Sequence, residues 1–184
     1  MAINSFVTGD LFRQGTRQIV ALAIDSQAWY QSRLCIFDHD GKLLSSYWHP
    51  GHLHKVVIGA PTPSAAPRII VAGVNNDLPS FLTTKGLVGA VFMLDPHNVR
   101  GEAPPFLGRS EHGSQLWYGV LLPENQQVTS LELTDRDRDG AKQISVWTST
   151  GHAFYLDFAG HVLTASATDA ARGSSQFDLL GAQE

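Results

Sequence analysis

The stretch AKQISVWTSTGHAFYLDFAGHVL, residues 141–163, decides how the rest of the chain is read. It holds a β-branched and aromatic run, a polar connection with a glycine, a second apolar run ending in aspartate, a turn, and the start of a third run. Runs of this composition bounded by turn residues read as strands. The same order occurs twice more. TRQIVALA (16–23) leads to RLCIFDHDGKLL (33–44), and PRIIVAGV (67–74) leads to AVFMLDPHNVRG (90–101). Asp38, Asp95 and Asp157 then fall at equivalent places. Just ahead of them, Cys35 with Phe37, Phe92 with Leu94, and Phe154 with Leu156 stand two apart. Residues two apart share a face of a strand, so the three pairs are expected to point into one layer.

Outward from these units, HKVVIGA, SQLWYGVLL and QVTSLELT also read as strands by β-branched and aromatic content. DHDGK (38–42) is a hairpin signal, because Asp-Gly accepts the positive φ of a tight turn. No window longer than about ten residues shows an apolar period of 3.6, so little helix is expected. The tail ATDAARGSSQFDLLGAQE (167–184) reads as a loop, one helical turn at most, and a last short strand.

Each unit is therefore a four-stranded meander, the form of a propeller blade. The expected fold is all-β and propeller-like: about three four-stranded antiparallel blade-type repeats in one domain spanning 1–184. The units cover about 4–50, 53–122 and 127–180. A closed propeller usually needs four or more blades. The expected form is therefore a partial propeller, a very small propeller with one degenerate blade, or a half-ring, and a half-ring would pair with a second copy to make about six blades, since exposed strand edges invite pairing.

Composition sets the outer bounds. A chain of 184 residues, 43% hydrophobic and 16% charged, is globular and long enough for one domain with a real core. The net charge is −4, and no basic run exceeds two residues, so no nucleic-acid partner is expected. MAINSFVTGD has neither the charged nor the apolar region of a signal peptide. No stretch approaches a membrane-spanning length of apolar residues. The chain is equally readable as an excised extracytoplasmic domain. Its single cysteine, Cys35, sits in the apolar run RLCIFD and is expected as a buried thiol.

The densest chemistry is TDRDRDGAKQIS (134–145). With Asp135 as position 1, Asp137 is position 3, Asp139 position 5, Gly140 position 6, Ala141 position 7 and Gln143 position 9. Alternate aspartates in a tight loop can turn their carboxylates onto one cation, and calcium takes six to eight oxygens. An EF-hand requires Glu at position 12, where this chain has Val146. A solvated turn, with Asp137 or Asp139 capping backbone amides, satisfies the same residues.

TDRDRDGAKQISVWT resembles the D-x-D-x-D-G-x-x-[DE] loop that opens a strand in FG-GAP and VCBS-type propeller repeats, such as those of integrin α-subunits. GDLFRQGTRQIVALA (9–23) looks like an eroded copy, with Asp10 kept and Phe12 and Gln14 at positions 3 and 5. The resemblance spans the three units. It implies a structural calcium ion held by Asp135, Asp137 and Asp139, with the Ala141 carbonyl. Gln143 stands where the family has a carboxylate, which removes one charge and implies weaker binding. No ion is expected at the first loop.

Other candidates are weaker. YWHPGHLHK (47–55) places His49, His52 and His54 at spacings a transition metal can use, but Pro50-Gly51 makes a turn and no nearby Cys or carboxylate completes the set. The alternative is a blade-to-blade connection with Trp48 in the core and the imidazoles bonded to backbone. AGVNND (72–77) is a polar cluster at a strand end. Trp29, Tyr30, Trp117 and Tyr118 are aromatic pairs able to stack on sugars, although most are expected in the core. No G-x-S-x-G, Walker A or G-x-G-x-x-G occurs. The expected function is a non-catalytic binding or sensory module with a calcium loop, its partner a protein, peptide or glycan. The alternatives are a metal-dependent hydrolase or lyase using the acidic loop, and a purely structural repeat of a longer chain.

Overall fold

The computed structural model describes residues 2–24, 31–76, 88–102, 114–122, 126–136, 138–167 and 176–179. Among the described residues thirteen strands follow in order: β1 (Ala2–Gly9), β2 (Gln18–Ile24), β3 (Gln31–Phe37), β4 (Leu43–Pro50), β5 (Leu53–Gly59), β6 (Arg68–Asn75), β7 (Val88–Leu94), β8 (Gln115–Leu122), β9 (Val128–Thr134), β10 (Gln143–Thr148), β11 (His152–Leu156), β12 (Val162–Ala167) and β13 (Gln176–Leu179). A single 3₁₀ turn, Pro96–Asn98, is the helical element among the described residues. The chain is all-β, as its composition implied.

The strands form three antiparallel sheets. Sheet 1 is β1-β2-β3-β4, sheet 2 is β5-β6-β7-β8 extended by β13, and sheet 3 is β9-β10-β11-β12. Their registers coincide. Ile19 pairs Phe37, Ile69 pairs Leu94, and Ile144 pairs Leu156, each partner standing one residue before the shared aspartate. The β13 strand departs from the sequence reading, which ended the third unit near residue 180. It pairs with β8 of sheet 2, opposite Gly119 to Leu122.

The aspartates build the same turn. Asp38 accepts from the Asp40 and Lys42 amides at 3.0 and 2.8 Å, and Asp157 accepts from Ala159 and His161 at 2.8 and 2.9 Å. The following glycines, Gly41 and Gly160, have φ of +81° and +88°, which only glycine adopts without strain. In sheet 2, proline follows Asp95, and the turn becomes the 3₁₀ piece capped by Asp95.

Two apolar layers hold the sheets together. Leu22, Leu34, Ile36 and Tyr47 of sheet 1 pack with Phe92, Leu94 and Tyr118 of sheet 2. Ile70, Val91, Met93 and Trp117 of sheet 2 pack with Ile144, Val146, Phe154 and Leu156 of sheet 3. Sheet 2 is the middle layer. That is why β6 and β7 are near-continuous apolar runs rather than alternating ones.

The three expected pairs therefore do not share a layer. Phe92 and Leu94 face sheet 1, and Phe154 and Leu156 face sheet 2. In sheet 1 the alternate residues Leu34 and Ile36 enter the core instead, leaving Cys35 and Phe37 on the outer face. Cys35 is nonetheless buried, at 8% exposure. Sheets 2 and 3 present this face toward the sheet before them, and among the described residues no sheet covers that face of sheet 1.

Candidate functional site

The β1–β2, β5–β6 and β9–β10 loops lie along one rim. Arg13 of the first donates to the carbonyls of Ser64 and Pro63 in the second, at 2.8 and 3.1 Å, and to that of Ala65. The Lys142 amide of the third donates to the Pro61 carbonyl at 2.7 Å. On the same rim, Phe12 packs its ring against His97, with centroids 5.1 Å apart. This is where the acidic loop sits.

At its described residues the acidic loop shares backbone features with its counterpart in the first unit. Arg138 and Gly140 have φ of +57° and +85°; Arg13 and Gly15 have +56° and +76°. The Gly140 amide donates to Asp135 at 3.1 Å, as the Gly15 amide donates to Asp10 at 2.8 Å. Gln14 adds a second amide to Asp10 at 2.9 Å, and Ala141 donates to Asp139 at 2.8 Å. The two backbone bonds hold the Asp10 carboxyl below its ordinary value.

What fills each loop differs. In the first, Leu11 is buried in the core, Phe12 packs beside it, and the Leu11 amide donates to the buried side chain of Gln18 at 2.9 Å. The loop is closed by its own side chains. In the third, position 2 is Arg136, whose guanidinium lies 4.6 Å from the Tyr155 ring centre. Asp135 and Asp139 are exposed, Ala141 and Gln143 are half-buried, and Asp137 lies outside the described residues. Among the described residues, no group of three or more His, Cys, Asp or Glu comes together as a metal cage.

The histidines do not converge either. His49 is buried and stacked on Phe92 and Tyr118, and its Nε2 meets the Val74 carbonyl at 3.0 Å. His54 reaches across to sheet 3, where its Nε2 meets the Val128 carbonyl at 2.9 Å. A carbonyl can only accept, so both Nε2 atoms carry the proton. These bonds link sheet to sheet, the second of the two readings above. Trp48 differs from that reading: it is half-buried on the outer face, with the Arg33 guanidinium 5.2 Å from its ring centre.

Trp117 and Tyr118 are core residues, whereas Trp29, Tyr30 and Asp77 lie outside the described residues. Asn75, from the polar AGVNND cluster, is buried and donates to the Tyr118 hydroxyl at 2.8 Å. Gln115 donates to the Tyr47 hydroxyl. Burial drives both phenols above their usual range. This polar set inside the layer between sheets 1 and 2 escaped the sequence reading, because its members come from β4, β6 and β8.

The outer face of sheet 1 escaped it too. Ile3 and Phe6 are 68% and 67% exposed, and Leu43 and Leu44 are also exposed. Comparison with known protein families, with curated proteins and with solved structures finds no match.

Proposed function

We propose that this chain is a non-catalytic interaction module, built as a three-unit piece of a propeller-type ring. The supporting observation is the outer face of sheet 1. In the other two sheets the equivalent face is covered by a neighbouring sheet; here it offers Ile3, Phe6, Leu43 and Leu44 to a partner. These residues stand on the two edge strands of the sheet, β1 and β4, with Ala21, Cys35 and Phe37 between them, and exposed apolar surface of this kind marks interaction sites on proteins. The partner classes are a protein, a peptide or a glycan, and a second copy that closes a ring. Protein, peptide and glycan arrays probed with the wild-type chain and with Phe6→Glu test the reading. Signals lost in the variant are expected. Signals indifferent to Phe6, or turnover in a hydrolase screen with added calcium or zinc, would sink it.

Calcium on the third-unit loop is a second part of the proposal. It is favoured by two exposed carboxylates held by backbone amides, Asp135 by that of Gly140 and Asp139 by that of Ala141. Asp135, Asp137 and Asp139, with the Ala141 carbonyl and the Gln143 amide, would hold the ion, and it would serve to brace the rim.

A further inference from the structure

We propose that the occupant of the sheet 1 face is the far face of sheet 3 in a second copy, with the reciprocal contact made at the same time. This rests on the interaction-module reading and names its partner.

The repeat itself supplies the geometry. Val20 and Leu22 of β2 cover sheet 2, and Ile70 and Ala72 of β6 cover sheet 3. Ser145 and Trp147 of β10 stand at the same register, two and four residues after the equivalent Gln143. Both alternate with the core residues Ile144 and Val146, on the side of sheet 3 that no sheet covers among the described residues; Ser145 is itself buried beside the Thr134 hydroxyl, 2.6 Å away, and Trp147 is 36% exposed. One copy thus has a face of the covered kind, sheet 1, and a face of the covering kind, sheet 3. Docked head to tail about a two-fold axis, each copy supplies what the other lacks. The first strands β1, β5 and β9 already lie side by side in that order, as successive units of a ring require.

Charge is compatible with the same pairing. On the outer face of sheet 1 the one charged strand residue is Arg33, and on the far face of sheet 3 it is Glu132, opposite Ser145 in register, with the Arg136 guanidinium lying over Tyr155 on that face as well. Sheet 1 against a second sheet 1 would instead bring two arginines to one interface. Area points the same way. Four strands about 4.8 Å apart and seven residues of about 3.3 Å make a face of roughly 440 Å². One such contact buries roughly 900 Å² in total, below the ~1,200–2,000 Å² of stable specific interfaces, and two contacts bury roughly 1,800 Å².

Sedimentation velocity of the full chain over a wide concentration range tests this. A monomer–dimer equilibrium is expected. Phe6→Glu and Trp147→Glu, both at exposed positions, should each weaken it at least about tenfold. Arg33→Glu and Glu132→Arg should each weaken it, and the double variant should recover most of the loss, the signature of direct coupling. Melting curves of each variant at low concentration establish that the monomer still folds. A monomer at every concentration would overturn the proposal. So would a dimer sensitive to Phe6→Glu but not to Trp147→Glu, which pairs sheet 1 with itself. If the chain is monomeric yet Phe6 still governs array binding, the dimer fails and the interaction module stands. If both readouts ignore Phe6, both fall.

Discussion

Asp10 and Asp135 begin loops with shared backbone features, and the residues that follow decide how each is stabilised. In the first loop Leu11, Phe12 and Gln18 turn inward, and the glutamine oxygen shares the Leu11 amide with the Gly9 carbonyl beside the core. In the third loop those positions are Arg136, Asp137 and Gln143, which puts a guanidinium and a carboxylate where the first has two apolar side chains. Calcium binding only to the folded chain must raise its stability, by about 2.7 kcal/mol at a hundredfold excess over Kd. A thermal melt of metal-stripped protein with millimolar calcium is expected to show a rise in Tm that Asp137→Ala abolishes. No rise leaves the aspartates as turn chemistry, the role Asp10 fills. A second residue-scale effect concerns His52. Burial, with the nearby His54 charge second, holds its imidazole below the ordinary 6.5. The unfolded chain then takes up the proton at higher pH than the folded one. This contribution is full above the unfolded value and is lost as pH falls through it toward the folded value. Urea midpoints measured from about pH 7.5 down to about pH 5.5 should decline, and less steeply in His52→Gln.

Among the elements, the crossing from β4 to β5 fixes how sheets 1 and 2 meet. Ser32, buried on β3, donates to the Gly51 carbonyl at 2.6 Å and accepts from the Leu53 amide at 2.9 Å. The Val74 amide donates to the His52 carbonyl at 2.9 Å, and Asn76 donates to Pro50 at 3.0 Å. Backbone passes so close that a Cβ on Gly73 would stand 2.0 Å from the His52 oxygen. Both sides of that contact are main chain, so neither yields by a rotamer change. Gly73→Ala should cost about 2–3 kcal/mol, read as a lower denaturation midpoint with the slope little changed. The strands themselves were legible in the sequence, because β-branched runs between turn residues need only local information. The close approach at Gly73 was not, because the atoms that forbid a side chain come from a segment twenty residues earlier.

At the scale of the molecule, β13 ties the end of the chain back to its middle. Phe177 lies edge-on to Trp117, with ring centres 6.4 Å apart, and 6.2 Å from Phe154. Its ring fills the space over Gly119, where a Cβ would sit 2.0 Å away. The contact joins sheets 2 and 3 through one side chain, so Phe177→Ala should cost about 3 kcal/mol and still leave one cooperative transition. Two transitions in calorimetry would show that the third sheet melts separately. If two copies close on each other, Tm will also rise with protein concentration. The sequence by itself determined the three units, their four-stranded meanders and the turn aspartates, since these follow from local periodicity and turn chemistry. Only the tertiary structure decided which face of each sheet is buried. A strand's alternation marks two faces but does not say which has a neighbour, and that depends on a sheet's place in the stack. For the same reason Cys35 and Phe37, equivalent in sequence to the core residues Phe92 and Leu94, lie on an open face.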